Sequence, residues 1–254
     1  MTTPLAIYVI AKGGKYLGND ISGATVTVRH TITQELLATG LVQGGSGDLW
    51  HLMIESRPRT TPLPTKGASV FIAEISSNDN TPIPVTIEAT GPGAGLQSVA
   101  KVSTQQWIVP GLIDNAGNPI VYTSTLELPG LIVQVMQPPT HLNVTQPLPQ
   151  TINFEVNVAM MCGCPIDSNQ DTDGSHTFPN PWNPNDFMVG CFISCQGQPT
   201  QQIQLNFDAS CAPGRFTAQW TMVTAGFYSG HFYAYQISTG NTGTATVSFF
   251  QIGS

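Results

Sequence analysis

Two segments carry side chains whose type and spacing could do chemistry. The first reads Met160-Met161-Cys162-Gly163-Cys164-Pro165. Two thiols one glycine apart, beside thioethers, form a soft ligand set suited to Cu(I), or to zinc with outside help, through Cys162, Cys164 and Met161. The pair is narrower than the usual Cys-x2-4-Cys knuckle, and consecutive strand residues point to opposite faces, so Met160 and Met161 cannot both face the thiols. The competing reading places Met160 in a core and the cysteines in disulfides. Cys191, Cys195 and Cys211 fall in the same half of the chain, so either framework would serve that half alone. Cys162 or Cys164 with Cys191, and Cys195 with Cys211, are acceptable pairings, and the total of five leaves one thiol over within a monomer.

The second segment is Asp167-Ser168-Asn169-Gln170-Asp171-Thr172-Asp173-Gly174-Ser175-His176. Oxygen side chains at alternate positions, closed by a glycine, is the spacing with which a calcium loop wraps a hard cation, here through Asn169, Asp171 and Asp173. The twelfth position of that register is Asn180 rather than a bidentate Glu, and prolines at 165, 179 and 181 exclude flanking helices. A solvated turn-forming loop is the alternative.

Other constellations are weaker. The five histidines, at 30, 51, 141, 176 and 231, are scattered, and no Gly-x-Ser-x-Gly elbow is present. Gly44-Gly45-Ser46-Gly47 and Gly91-Pro92-Gly93-Ala94-Gly95 lack the helix and lysine of a phosphate cradle and read as hairpin loops. Trp107 beside Gln105 and Gln106, and the set Trp182, Phe187, Trp220, Tyr228 and Tyr233, suit either a sugar-stacking platform or an inter-sheet core. Trp182, on a rigid proline-bearing loop, is the expected exposed binding anchor.

The elements that must position these groups read as strands. Runs at 5–11, 24–29, 36–42, 50–55, 68–75, 85–89, 100–109 and 121–135 are separated by Gly and Pro. Helical periodicity is missing. Met136-Gln137-Pro138-Pro139-Thr140 cannot continue a strand and marks the boundary between domains 1–137 and 138–254. Seven further runs follow, at 141–145, 152–161, 187–195, 202–207, 216–222, 227–237 and 244–252. The expected fold is all-β, two tandem antiparallel β-sandwiches of immunoglobulin-like type.

Residues 225–250, AGFYSGHFYAYQISTGNTGTATVSFF, alternate apolar and polar side chains around a glycine-bearing turn. They resemble the last two strands of bacterial immunoglobulin-like surface domains, which end in tyrosine, alanine, a short turn and GNTGTATV. Ile21-Ser22-Gly23-Ala24-Thr25-Val26-Thr27-Val28-Arg29 followed by Glu35-Leu36-Leu37-Ala38-Thr39-Gly40 resembles the transthyretin-like or carboxypeptidase-regulatory sandwich, where GATVTV precedes a hairpin. Both resemblances imply fold and a surface or secreted setting, and they are silent on catalysis.

Composition narrows the function. Charged residues make up 9% of the chain, against about 25% in ordinary domains, so solubility rests on Thr, Ser, Asn and Gln. A net charge of -7 with eight Lys and Arg, the densest cluster being Arg57-Pro58-Arg59, excludes nucleic acid as partner. No basic n-region precedes the short apolar run 5–11, and no stretch of 18 apolar residues occurs. These features predict a non-enzymatic structural or interaction protein at the cell surface or outside the cell, with itself or a surface assembly as partner. In that role the run 5–11 would add a strand to a neighbour's sheet. A copper- or zinc-handling protein and a glycan-binding module are the alternatives.

Overall fold

A computed structural model describes residues 2–77, 81–172 and 177–252. Its backbone is almost entirely strand, as alternation without helical periodicity requires. The chain divides into two units. One comprises Met1–Pro129 with Met161–Gly163, the other Gly130–Met160 with Cys164–Ser254.

In the first unit the strands are β1 (Thr2–Ala11), β2 (Thr25–His30), β3 (Leu36–Leu41), β4 (Gln43–Ser46), β5 (Ala68–Ser76), β6 (Ile83–Gly91), β7 (Ala100–Ile108) and β8 (Tyr122–Leu128). They form two sheets, β4-β5-β1-β8 and β3-β2-β6-β7. Every second residue is buried in several strands, among them Leu5, Ile7 and Val9, Val26 and Val28, Val85, Ile87 and Ala89, and Leu126 and Leu128. That period of two is what a core between two sheets demands. Gly40 on β3 lies against the Phe71 ring on β5, and a Cβ there would occupy the ring's place.

Three expectations are corrected in this unit. The run 5–11 is no donor strand, because β1 already pairs antiparallel with β5 and parallel with β8, with Leu5, Ile7 and Val9 fully buried. Residues 50–54 form a π-helical turn, Trp50–Ile54, rather than a strand. Asp48 starts it by accepting from the His51 N–H through its side chain (3.2 Å) and from the Leu52 N–H through its carbonyl (3.1 Å). Gly44-Gly45-Ser46 is not a loop, since β4 pairs with β5 through a bulge at Gly45/Ser46. Gly44 has φ +135°, and a Cβ there would press on the Ser69 backbone.

The second unit contains β9 (Leu131–Gln137), β10 (Leu142–Asn143), β11 (Gln150–Met160), β12 (Gln170–Thr172), β13 (Thr177–Pro179), β14 (Phe187–Cys195), β15 (Gln201–Phe207), β16 (Arg215–Met222), β17 (Gly226–Gln236) and β18 (Thr242–Gln251). One ladder runs β10-β18-β17-β14-β15-β16-β11-β9, with β12-β13 a separate hairpin. The strand β15 switches partners, pairing with β14 through Gln201–Leu205 and with β16 through Asn206 and Phe207. The ladder thereby folds into two layers around packed rings. Phe154 of β11 meets Phe232 of β17 edge-on at 5.5 Å, and Tyr228 of β17 stacks on Phe249 of β18 at 5.5 Å. Trp220 of β16 packs against Tyr228 at 5.3 Å. The Tyr228 hydroxyl reaches back to donate to the Thr224 carbonyl at 2.8 Å. That contact, near the start of the penultimate strand, is the tyrosine corner of immunoglobulin-type sandwiches.

The division of the chain falls earlier than 137/138. Pro129-Gly130 breaks the run 121–135 into β8 and β9, with Gly130 at φ +123°, and β9 pairs with β11 in the second unit. Strand pairing is antiparallel throughout the described ladders except for β1 with β8 and β10 with β18. Gly243 of β18 abuts the Leu131 carbonyl of β9, and no side chain fits between them.

Candidate interaction surface

The sequence-selected groups are not gathered into one site. Met160, Met161, Cys162 and Cys164 are all buried in a tight turn closed by the Met160 N–H on the Cys164 carbonyl (3.0 Å), with Gly163 at φ +78°. Among the described residues no three His, Cys, Asp or Glu side chains stand close enough to hold an ion.

The five cysteines are present as thiols. Cys191 is buried on the inner face of β14, and desolvation pushes its pKa up to about 12. Cys195 ends β14 beside Gly226, while Cys211 lies exposed in the turn after β15, donating to the Asp208 carboxylate at 3.3 Å. That hydrogen bond to Asp208 raises the Cys211 pKa, and the same carboxylate is held below its ordinary value, chiefly by the Ser210 hydroxyl and N–H.

In the calcium register, Asn169 gives its N–H and side-chain amide to the Asp167 carboxylate at 3.2 and 3.0 Å. Asp171 is placed by backbone on β12, opposite Phe178 of β13. Asp173 lies outside the described residues.

Trp182 is a correction. Its loop is rigid as expected, with Asn180 capping the Trp182 N–H (2.8 Å) and Asn183 capping the Asn185 N–H (3.0 Å). The indole, however, is only 2% exposed. A ring of that size gains more from burial than from display. Phe187, Trp220 and Tyr228 are buried too, whereas Trp107 is 61% exposed on β7.

The rings that do form a surface lie on the outer face of β14, β15, β17 and β18. The ladder places them in rows. Met188 faces Tyr235, Gly190 faces Tyr233 and Gln204, and Phe192 faces His231 and Gln202. Across β18, Thr244 faces Tyr233, Thr246 faces His231, Ser248 faces Ser229, and Phe250 faces Phe227.

Tyr233 leans across β14, its ring lying over Gly190 where any Cβ would collide with it. Its hydroxyl accepts from the Gln202 side-chain amide on β15 at 2.7 Å. Phe192, 41% exposed, lies beside it with ring centroids 5.2 Å apart and planes 28° from parallel. His231 is held between the Thr246 hydroxyl at Nδ1 and the Ser229 hydroxyl at Nε2, both at 3.2 Å. Further along, Phe227 is 72% exposed and packs on Phe250 at 5.6 Å.

These four strands contain no Asp, Glu, Lys or Arg. Sequence reasoning took Tyr233 from this surface but missed Phe192, Gln202 and the function of Gly190. Their relation depends on register across three strands, which spacing along one strand does not report.

Comparisons with known proteins add little to this geometry. No protein-family model matches the chain, and no curated protein matches it in sequence. A solved structure of the fibronectin(III)-like modules of Clostridium thermocellum CbhA aligns over 89% of this chain and 78% of its own, at 10% identity and a TM-score of 0.28. At that distance the likeness carries no argument about partner or activity.

Proposed function

We propose that this chain is a non-enzymatic structural or interaction protein working outside the cytoplasm, and that the outer face of β14, β15, β17 and β18 is the surface with which it joins a larger surface assembly. The observation that carries this reading is the ring pair of exposed Phe192 and half-buried Tyr233, the latter tied to Gln202. Apolar area left in water costs stability, and a glycine and a glutamine that hold such rings flat serve recognition better than folding.

The low charge and the hydroxyl-rich composition support an extracellular setting. The β2–β3 hairpin, where GATVTV runs into the Leu36–Leu41 strand, supports a transthyretin-like first unit. The tyrosine corner supports an immunoglobulin-like surface domain as the second. No helix among the described residues is long and apolar enough to cross a membrane.

Antibody labelling of intact source cells tests the setting. Labelling before lysis is the expected result, and labelling only after lysis refutes it.

A further inference from the structure

The chemistry of the outer face identifies its ligand more narrowly. We propose that the face formed by Phe192, Tyr233, Gln202, His231 and Thr246 binds an uncharged polysaccharide chain. This rests on the reading above that the face is a contact surface.

Three features lead there. The four strands lack any Asp, Glu, Lys or Arg, so an anionic polymer, a phosphorylated lipid surface or a cationic peptide finds no complementary charge. The ring of Phe192 stacks against that of Tyr233, which is tied to Gln202, and Phe192 stays 41% exposed, so the pair offers a supported aromatic surface against which the C–H face of a pyranose can pack. Around them the rows present amide, imidazole and hydroxyl groups, namely Gln202, Gln204, Thr244, His231, Thr246 and Ser229.

A second protein sheet would be a poor occupant. Face-to-face sheet packing buries both layers, and each Gln, Thr or Ser left unpaired there costs about 1–3 kcal/mol. Sugar hydroxyls both donate and accept, and so satisfy those groups while the ring faces stack. Extent fits as well. From Phe227 to Tyr235 the outer side of β17 runs eight residue steps, roughly 27 Å at about 3.4 Å per step, which suits an extended polymer rather than a single sugar.

The test uses the full chain and defined polymers: co-sedimentation with microcrystalline cellulose and chitin, and affinity electrophoresis through gels containing β-glucan, glucomannan or amylose. Retention by at least one polymer, insensitive to added salt, is the expected result. The double variant Phe192→Ala/Tyr233→Ala should weaken it at least about tenfold. Gly190→Val should do the same by lifting the tyrosine ring, and Trp107→Ala in the first unit should leave it unchanged. Thermal melts confirm that each variant is folded.

Absence of retention on all five polymers overturns the proposal, as does retention that neither the double variant nor Gly190→Val alters. If sugar binding fails but the double variant releases the chain from the cell surface or abolishes its self-association in sedimentation, the contact-surface reading stands and only the ligand assignment falls. If neither changes, both fall.

Discussion

The two faces of β17 differ in what their rings accomplish. Inward, Tyr228 and Phe232 join Phe154, Trp220 and Phe249 in a dry cluster with centroids 5.3–6.5 Å apart. Outward, Phe227, Tyr233 and Tyr235 remain in contact with water, and Tyr233 is held by a neighbour's backbone shape and one amide rather than by a packed shell. The same residue types therefore fill the core on one side and stand wholly or partly in water on the other. What separates them is the company supplied by adjacent strands.

Substitution on the inner side should give the largest effect. Phe154→Ala removes the ring that touches Trp220, Phe232 and Phe249, and should cost about 3–5 kcal/mol in urea unfolding. A loss below about 1 kcal/mol would contradict the packed cluster. Tyr228→Phe keeps the ring and deletes the corner hydroxyl. It should cost about 1 kcal/mol, since only the bonds to the Thr224 carbonyl and hydroxyl are lost.

On the outer side, Tyr233→Ala and Phe227→Ser should each stay within about 0.5 kcal/mol of the parent. A cost as large as that of the inner rings would show that the outer face is structural after all.

Thiol chemistry sharpens the contrast further without touching stability. At pH 8 Cys191, with a pKa near 12, carries thiolate in about one molecule in ten thousand, and iodoacetamide should leave it unmodified until the protein unfolds. Cys211 is exposed, yet its thiolate is disfavoured by Asp208, so Asp208→Asn should hasten its alkylation. Unfolding without reductant should then expose five alkylatable cysteines by mass. A smaller number means that some of them pair as disulfides.

Alternation in the sequence was enough to place most strands of the second unit to within a residue or two, and on β18 to separate Ala245, Val247 and Phe249 from Thr244, Thr246 and Ser248. On β17 it was not enough, because rings occur at odd and even positions alike and polarity no longer separates inside from outside. The preference for Trp182 as an anchor failed for a related reason. A stiff loop specifies where its backbone goes, but the indole follows the nearest apolar space. The turn at Trp50–Ile54 escaped notice because five apolar or aromatic-like residues read equally well as strand, and only the capping by Asp48 decides the matter. The outer platform needed three-strand register before it could be seen at all.

The position of β1 bears on how the chain emerges from the ribosome. Its hydrogen-bonding partners are β5, some sixty residues downstream, and β8, well over a hundred residues downstream. One edge of β1 thus stays open until Ser76 has been made and the other until Leu128, and closing such long loops slows folding.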